Sequence, residues 1–336
     1  MRAAEATATA AGSKTVGMGT RLRSAVAFLW AVDRPLTAVG LLMTSAAVLS
    51  AVSLVLDARV IAGFPAWLKP LKFATSLSIY CFTLAWIFSY LPDWSRTRRW
   101  VSIITATVIV FELAAIDVQA WRGTTSHFNT STPANGIVFG LMGLGILTQT
   151  LASGFAAAAL WRQKFADPVM GWALRLGMTM TIAGAFIGFL MTQPTSAQIA
   201  EAKATHQMPV SGAHSVGGPD GGPGVPGTGW STEHGDLRVP HFLGLHSIQA
   251  LAFVGLIVRR RRFPADRGVR VVQAAAVSYV AIVVLFLWQA LQGESVVAPG
   301  GVMQVMGLAW LAMTAGLLWA TAMRQSPATT ASAVQR

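Results

Sequence analysis

Apolar residues run along this chain in eight blocks of about 20, set apart by short clusters of Arg, Lys, Pro, Gly and Asp. The blocks span 36–56, 71–91, 100–121, 136–160, 172–192, 241–258, 271–291 and 302–323, the sixth being the shortest. About 20 apolar residues rising 1.5 Å each cross a ~30 Å hydrocarbon layer. The runs lack the in–out alternation of a membrane β-barrel, and backbone in lipid must satisfy its own hydrogen bonds. Each block therefore predicts a helix, and the fold class expected is all-α, a polytopic bundle of about eight transmembrane helices over 34–323. Residues 1–33 are expected to form a flexible cytoplasmic tail with an interfacial helix at 21–32, and 324–336 a second cytoplasmic tail. The longest interruption is 193–239, whose centre, HSVGGPDGGPGVPGTGW, is too rich in Gly and Pro to continue a helix. It reads as an external loop, equally a lid or a linker.

Composition narrows the class. Of 336 residues, 54% are hydrophobic and 11% charged, with a mean hydropathy of +0.55, which excludes both an ordinary soluble domain and a disordered chain. One cysteine, Cys81, excludes an intramolecular disulfide and every paired-cysteine metal site. The net charge of +12 is an orientation signal. Dealt to the two sides of eight alternating spans, 19 Lys and Arg fall on the side of both termini and six on the other. By the positive-inside rule both termini are cytoplasmic, and loops 57–70, 122–135, 193–239 and 292–301 face outward across the plasma membrane. The RRRRF run at 259–263 reads as a topology anchor, so no nucleic-acid partner is expected.

Candidate chemistry gathers towards the outer side. Glu112 falls near the middle of the third span, where a charge costs roughly 2.5–3.5 kcal/mol on insertion scales and marks function. Gln119 is seven residues on and shares its face; Asp117 lies about 140° away. Glu112 and Asp117 are the candidate catalytic acids, Asp117 also as a further ligand at a metal site or a group that orients its ligands. Rise per residue puts Asp117, Gln119, His246, Gln249 and Gln289 at one depth, predicting one shared pocket. HFLGLH at 241–246 is the strongest local cluster, but its i to i+5 spacing splits the imidazoles on a regular helix. His246, His241 and His127, the last from the 122–135 loop, are the candidate metal ligands. His206, His214 and His234 fall in the Gly/Pro-rich loop and are expected to be solvated. Lys69, Lys72, Arg122 and Arg238 are cations on the side that should have few, and are candidates to hold an anionic group.

Three functions compete. The first is a membrane enzyme or redox protein with zinc, iron or haem b on His246, His127 and His241, acting on an apolar, lipid-like or quinone substrate reached from the bilayer. The second is a proton-coupled transporter with Glu112 as carrier; the lack of an obvious broken span, of an inverted repeat and of ionisable residues in the cytoplasmic half counts against it. The third is a structural or assembly protein whose polar residues join helices.

Overall fold

The structure, a computed structural model, describes residues 17–323. Residues 1–16 of the expected N-terminal tail and the whole C-terminal one lie outside the described residues. Eleven helices form among them, with two minimal β-hairpins. Helix α1 (Met18–Val32) covers the segment expected at the membrane surface and has no buried residue. The long helices α2 (Arg34–Leu56), α3 (Leu68–Phe88), α4 (Ser95–Trp121), α5 (Pro133–Arg162) and α6 (Pro168–Leu190) match the first five apolar blocks. Between α2 and α3, strands β1 (Val60–Ile61) and β2 (Phe64–Pro65) make a tight hairpin. A short helix, α7 (Ser196–Thr205), and a second hairpin of β3 (Ser215–Val216) and β4 (Gly235–Asp236) follow. The chain then enters α8 (Arg238–Leu245), α9 (Ser247–Arg260), α10 (Ala265–Leu291) and α11 (Gly301–Met323).

Three span starts use one local device. A side-chain oxygen at Asp33, Thr132 or Asp167 accepts from a first-turn N–H, and a proline follows within two residues, where its missing N–H leaves nothing unsatisfied.

Among the described residues seven helices are long and apolar enough to cross a membrane, or eight if the bent pair α8 and α9 is one span. That pair corrects one expectation. The sixth block is broken by 45° at His246 (φ −88°, ψ 6°). The break is held open by its neighbours: Thr181 Oγ1 accepts from Ile248 N at 3.2 Å and donates to Leu245 O at 3.2 Å. Tyr279 Oη donates to Leu243 O at 2.8 Å, and Ser247 Oγ to Gly244 O at 2.7 Å. Partners of this kind let a span deviate from ideal geometry in lipid. Close approach supports the same region, because a Cβ on Gly184 of α6 would lie 2.3 Å from the Gly244 carbonyl carbon of α8.

Helices α2 to α5 pack in sequence, α5 meets α6, and α6 gathers α8, α9 and α10, with α11 against α10. One core joins α2 to α6 and α9 through Leu36, Phe88, Ile109, Leu160, Leu174 and Ile248. Large apolar side chains such as Val55, Phe155 and Trp319 are exposed on the outside, the surface of a chain solvated by lipid.

Candidate functional site under the lid

The external segment 193–239, called the lid below, is packed against the rest of the chain and not extended as a free linker. Its backbone is tied to the α4–α5 loop and the end of α6: Thr130 N donates to Pro209 O, Ser211 N to Phe128 O and Ala213 N to Met191 O, each at 2.9 Å. A capping box between Thr195 and Gln198 starts α7. On the other flank Ser295 Oγ donates to Ser231 O at 2.9 Å, and Gln289 Nε2 to Ser295 O at 2.9 Å. Asp236 is the lid's central acceptor. Only 2% exposed, it takes Ser231 N at 2.7 Å, Arg238 N at 2.9 Å and the Arg238 guanidinium at 2.9 and 2.6 Å. A carboxylate holding a guanidinium by two parallel bonds is a strong, directional pair.

The cations expected to bind an anion divide. Arg238 is committed to Asp236 and to Gly229 O. Lys72 Nζ donates to Thr228 O at 2.7 Å, and Arg122 to Gln119 Oε1 at 2.8 Å and Asn135 Oδ1 at 3.3 Å. Lys69 is different: its ammonium lies 5.8 Å from the Phe73 ring and has no hydrogen bond or ion pair among the described residues.

Around Lys69 stand imidazoles. His127 packs on Phe73 with ring centroids 5.7 Å apart and shares Phe128 with His214, at 6.2 and 4.9 Å. Lys69, His214 and His241 all act electrostatically on His127. Burial, reinforced by these like charges, drives the His127 imidazole well below its usual 6.5, so it is neutral at pH 7. His214 corrects the expectation that it is solvated. Its Nδ1 meets Asp220 Oδ2 at 3.0 Å, and its backbone N–H and that of Ser215 also donate to Asp220. Against the burial that would raise it, these bonds hold the Asp220 carboxyl well below the usual carboxylate range. His206 is exposed and His234 half-buried.

The single polar pocket expected in the outer half is divided among different partners. Gln119 bonds Asn135, Gln289 bonds Ser295, and Gln249 reaches Thr83 at 3.4 Å from the face that His246 shares. His241 Nδ1 bonds Gly184 O at 2.8 Å. Asp117 keeps a buried, unpartnered Oδ1. Among the described residues no three His, Cys, Asp or Glu side chains converge closely enough to hold a metal ion. His246, His127 and His241 are thus not part of any such three-residue group.

Below the lid, Glu112 is 2% exposed and neither carboxyl oxygen has a hydrogen-bond partner. Its space comes from Gly145 on α5, where a Cβ would sit 3.3 Å from Oε1. The charge that acts on Glu112 is Lys69. Position 112 was legible as a buried charge in an apolar run; the pairing of His214 with Asp220 was not, because a Gly/Pro-rich tract gives no periodicity from which a contact can be read. Comparison with protein-family models, with curated proteins and with solved structures gave no match.

Proposed function

We propose that the chain is an eight-span plasma-membrane protein, with both termini cytoplasmic, that moves an anionic amphipathic molecule together with a proton. The observation that carries this is Glu112, a buried mid-span carboxyl with no hydrogen-bond partner whose one acting cation is Lys69. A buried, uncompensated carboxyl costs stability and is kept where it does work. Lys69 supplies the coupling. When a substrate carboxylate or phosphate reaches its ammonium beside the neutral imidazoles of the lid, the ammonium gains a new counter-charge. The Glu112 carboxylate then leaves the ammonium's field as the protonated acid, so one anion enters with one proton. The break at His246 supports the same reading, since discontinuous spans mark binding sites in transporters. The zinc or iron reading fits less well, because no three of the candidate ligand types come together among the described residues.

The test uses decanoate as probe on detergent-purified protein, with calorimetry in buffers of different ionisation heat. At a pH where Glu112 starts as the carboxylate, wild type should take up about one proton per ligand bound. Glu112→Gln should still bind decanoate with no proton uptake, and Lys69→Gln should lose binding. Undiminished uptake in Glu112→Gln, or no decanoate binding by wild type, would remove this reading.

A further inference from the structure

The buried face of α4 carries polar residues at regular intervals along its whole length. Ser102 is 1% exposed, Thr105 0%, Glu112 2% and Gln119 1%. At 100° per residue the last three lie within about 40° of one another, and Ser102 is within roughly 100° of them all. Glu112 to Ser102 is ten residues, about 15 Å of rise, or half a hydrocarbon layer.

Three groups along the lower part of this line lack partners: both oxygens of Glu112, Oγ1 of Thr105 and Oε1 of Gln149. Gln149 lies one turn beyond Gly145, the residue against Glu112, on the antiparallel helix α5. Orphaned polar atoms in a packed interior are rare and are normally satisfied by ordered water, which needs two to four polar partners. Here the orphans succeed one another. The line then continues through direct contacts. Gln149 Nε2 donates to Tyr80 Oη at 3.1 Å, and Tyr80 Oη and Ser153 Oγ are 3.0 Å apart. At the far end Ser102 Oγ donates to Asp33 Oδ1 at 2.7 Å. Asp33, the cap of α2, also acts electrostatically on Cys81, the neighbour of Tyr80.

We propose that this line is a hydrated proton path joining Glu112 to the end of the bundle at Asp33, opposite the lid; it rests on the reading of Glu112 as a proton carrier. Glu112 releases its proton to a water held by Gln149 and Thr105. Each hydroxyl or water below takes one proton and passes on its own, and Asp33 delivers the last to the cytoplasmic solvent. No electron moves, and every intermediate group ends as it began.

The experiment is proton flux into sealed proteoliposomes holding a pH-reporting dye, driven by an inward gradient of decanesulfonate, an amphipathic anion that cannot itself carry a proton across the bilayer. Wild type should acidify the lumen faster than protein-free vesicles. Thr105→Val and the pair Tyr80→Phe with Gln149→Leu should each slow this at least tenfold, as should Glu112→Gln, while Thr105→Ser should restore the wild-type rate. Monodispersity and helical content of each variant exclude misfolding. Wild-type flux in Thr105→Val and in the Tyr80/Gln149 pair, with flux lost in Glu112→Gln, would overturn the path and leave the carrier standing. Full flux in Glu112→Gln would overturn both, and a wild type no faster than protein-free vesicles would overturn the path.

Discussion

Replacing Asp236 with alanine should release the lid without unfolding the bundle. The carboxylate is 2% exposed and receives two backbone N–H groups and a two-pronged guanidinium. Deleting one partner of a buried ion pair typically costs about 3–5 kcal/mol, because the survivor is left uncompensated. Arg238 is 22% exposed in its side chain and can rehydrate, so the low end, about 3 kcal/mol, applies. At about 1.4 kcal/mol per factor of ten, local opening becomes roughly 150 times more frequent. Amide hydrogen exchange by mass spectrometry reads this directly over 208–237. Asp236→Asn keeps an acceptor for the Ser231 N–H but loses the charge, and should open the same segment by about half as much in free energy. A lid whose exchange changes less than about threefold, against the ~150-fold worked above, or exchange that rises equally in α2 and α3, would refute this account.

Acidification should loosen the same lid. His127 is neutral when folded, its imidazole held well below 6.5, so an opened lid binds more protons and stability falls as pH drops below about 6.5. Asp220, held down in the folded lid, contributes stability that persists until pH falls below its ordinary value of 3.8. Exchange of 208–237 at pH 5, corrected for intrinsic rate, should therefore exceed that at pH 7, and His127→Gln should flatten the difference. Phe128, 6% exposed and packed on His127, His214 and Phe139, should cost about 3–5 kcal/mol when cut to alanine, seen as early melting of the lid in limited proteolysis. Gly184→Val forces a side chain into the α8 backbone and should leave no monodisperse protein on size exclusion.

The spans were legible because an apolar run of helix length has one solution in lipid: each of the first five, and the last two, became a helix over the expected residues. Glu112 was legible for the complementary reason, as a charge without an obvious excuse. The break at His246 was not, because HFLGLHSIQ is as good a helix as its neighbours, and the break depends on Thr181, 64 residues earlier, and Tyr279, 36 residues on from Leu243. The path below Glu112 escaped notice for another reason. Single Thr, Ser, Gln and Tyr residues in spans read as helix glue, and only their succession across α3, α4 and α5 distinguishes a line from scattered contacts.

The lid and the break are one mechanical unit, because Leu237 alone separates β4 from α8, which carries His241 and ends at the bend at His246. What sets the pivot is Thr181, 5% exposed, whose single hydroxyl serves the Ile248 N–H and the Leu245 carbonyl together. Valine has nearly the same shape and no hydroxyl, so Thr181→Val strands both backbone groups between α6 and the bend. Each unsatisfied group costs about 1–3 kcal/mol, and straightening α8 onto α9 removes that cost, since a regular helix bonds both atoms internally. The variant should therefore lose the 45° bend and carry His241 off its 2.8 Å contact with the Gly184 carbonyl, drawing β4 with it. Spin labels placed on α8 and α9 would record a longer separation, and hydrogen exchange would rise across 208–237 although the substitution lies outside that segment. Unchanged label distances in Thr181→Val would mean that the bend is fixed by the Gly184–Gly244 contact instead, and the coupling of lid to pivot through this hydroxyl would be wrong.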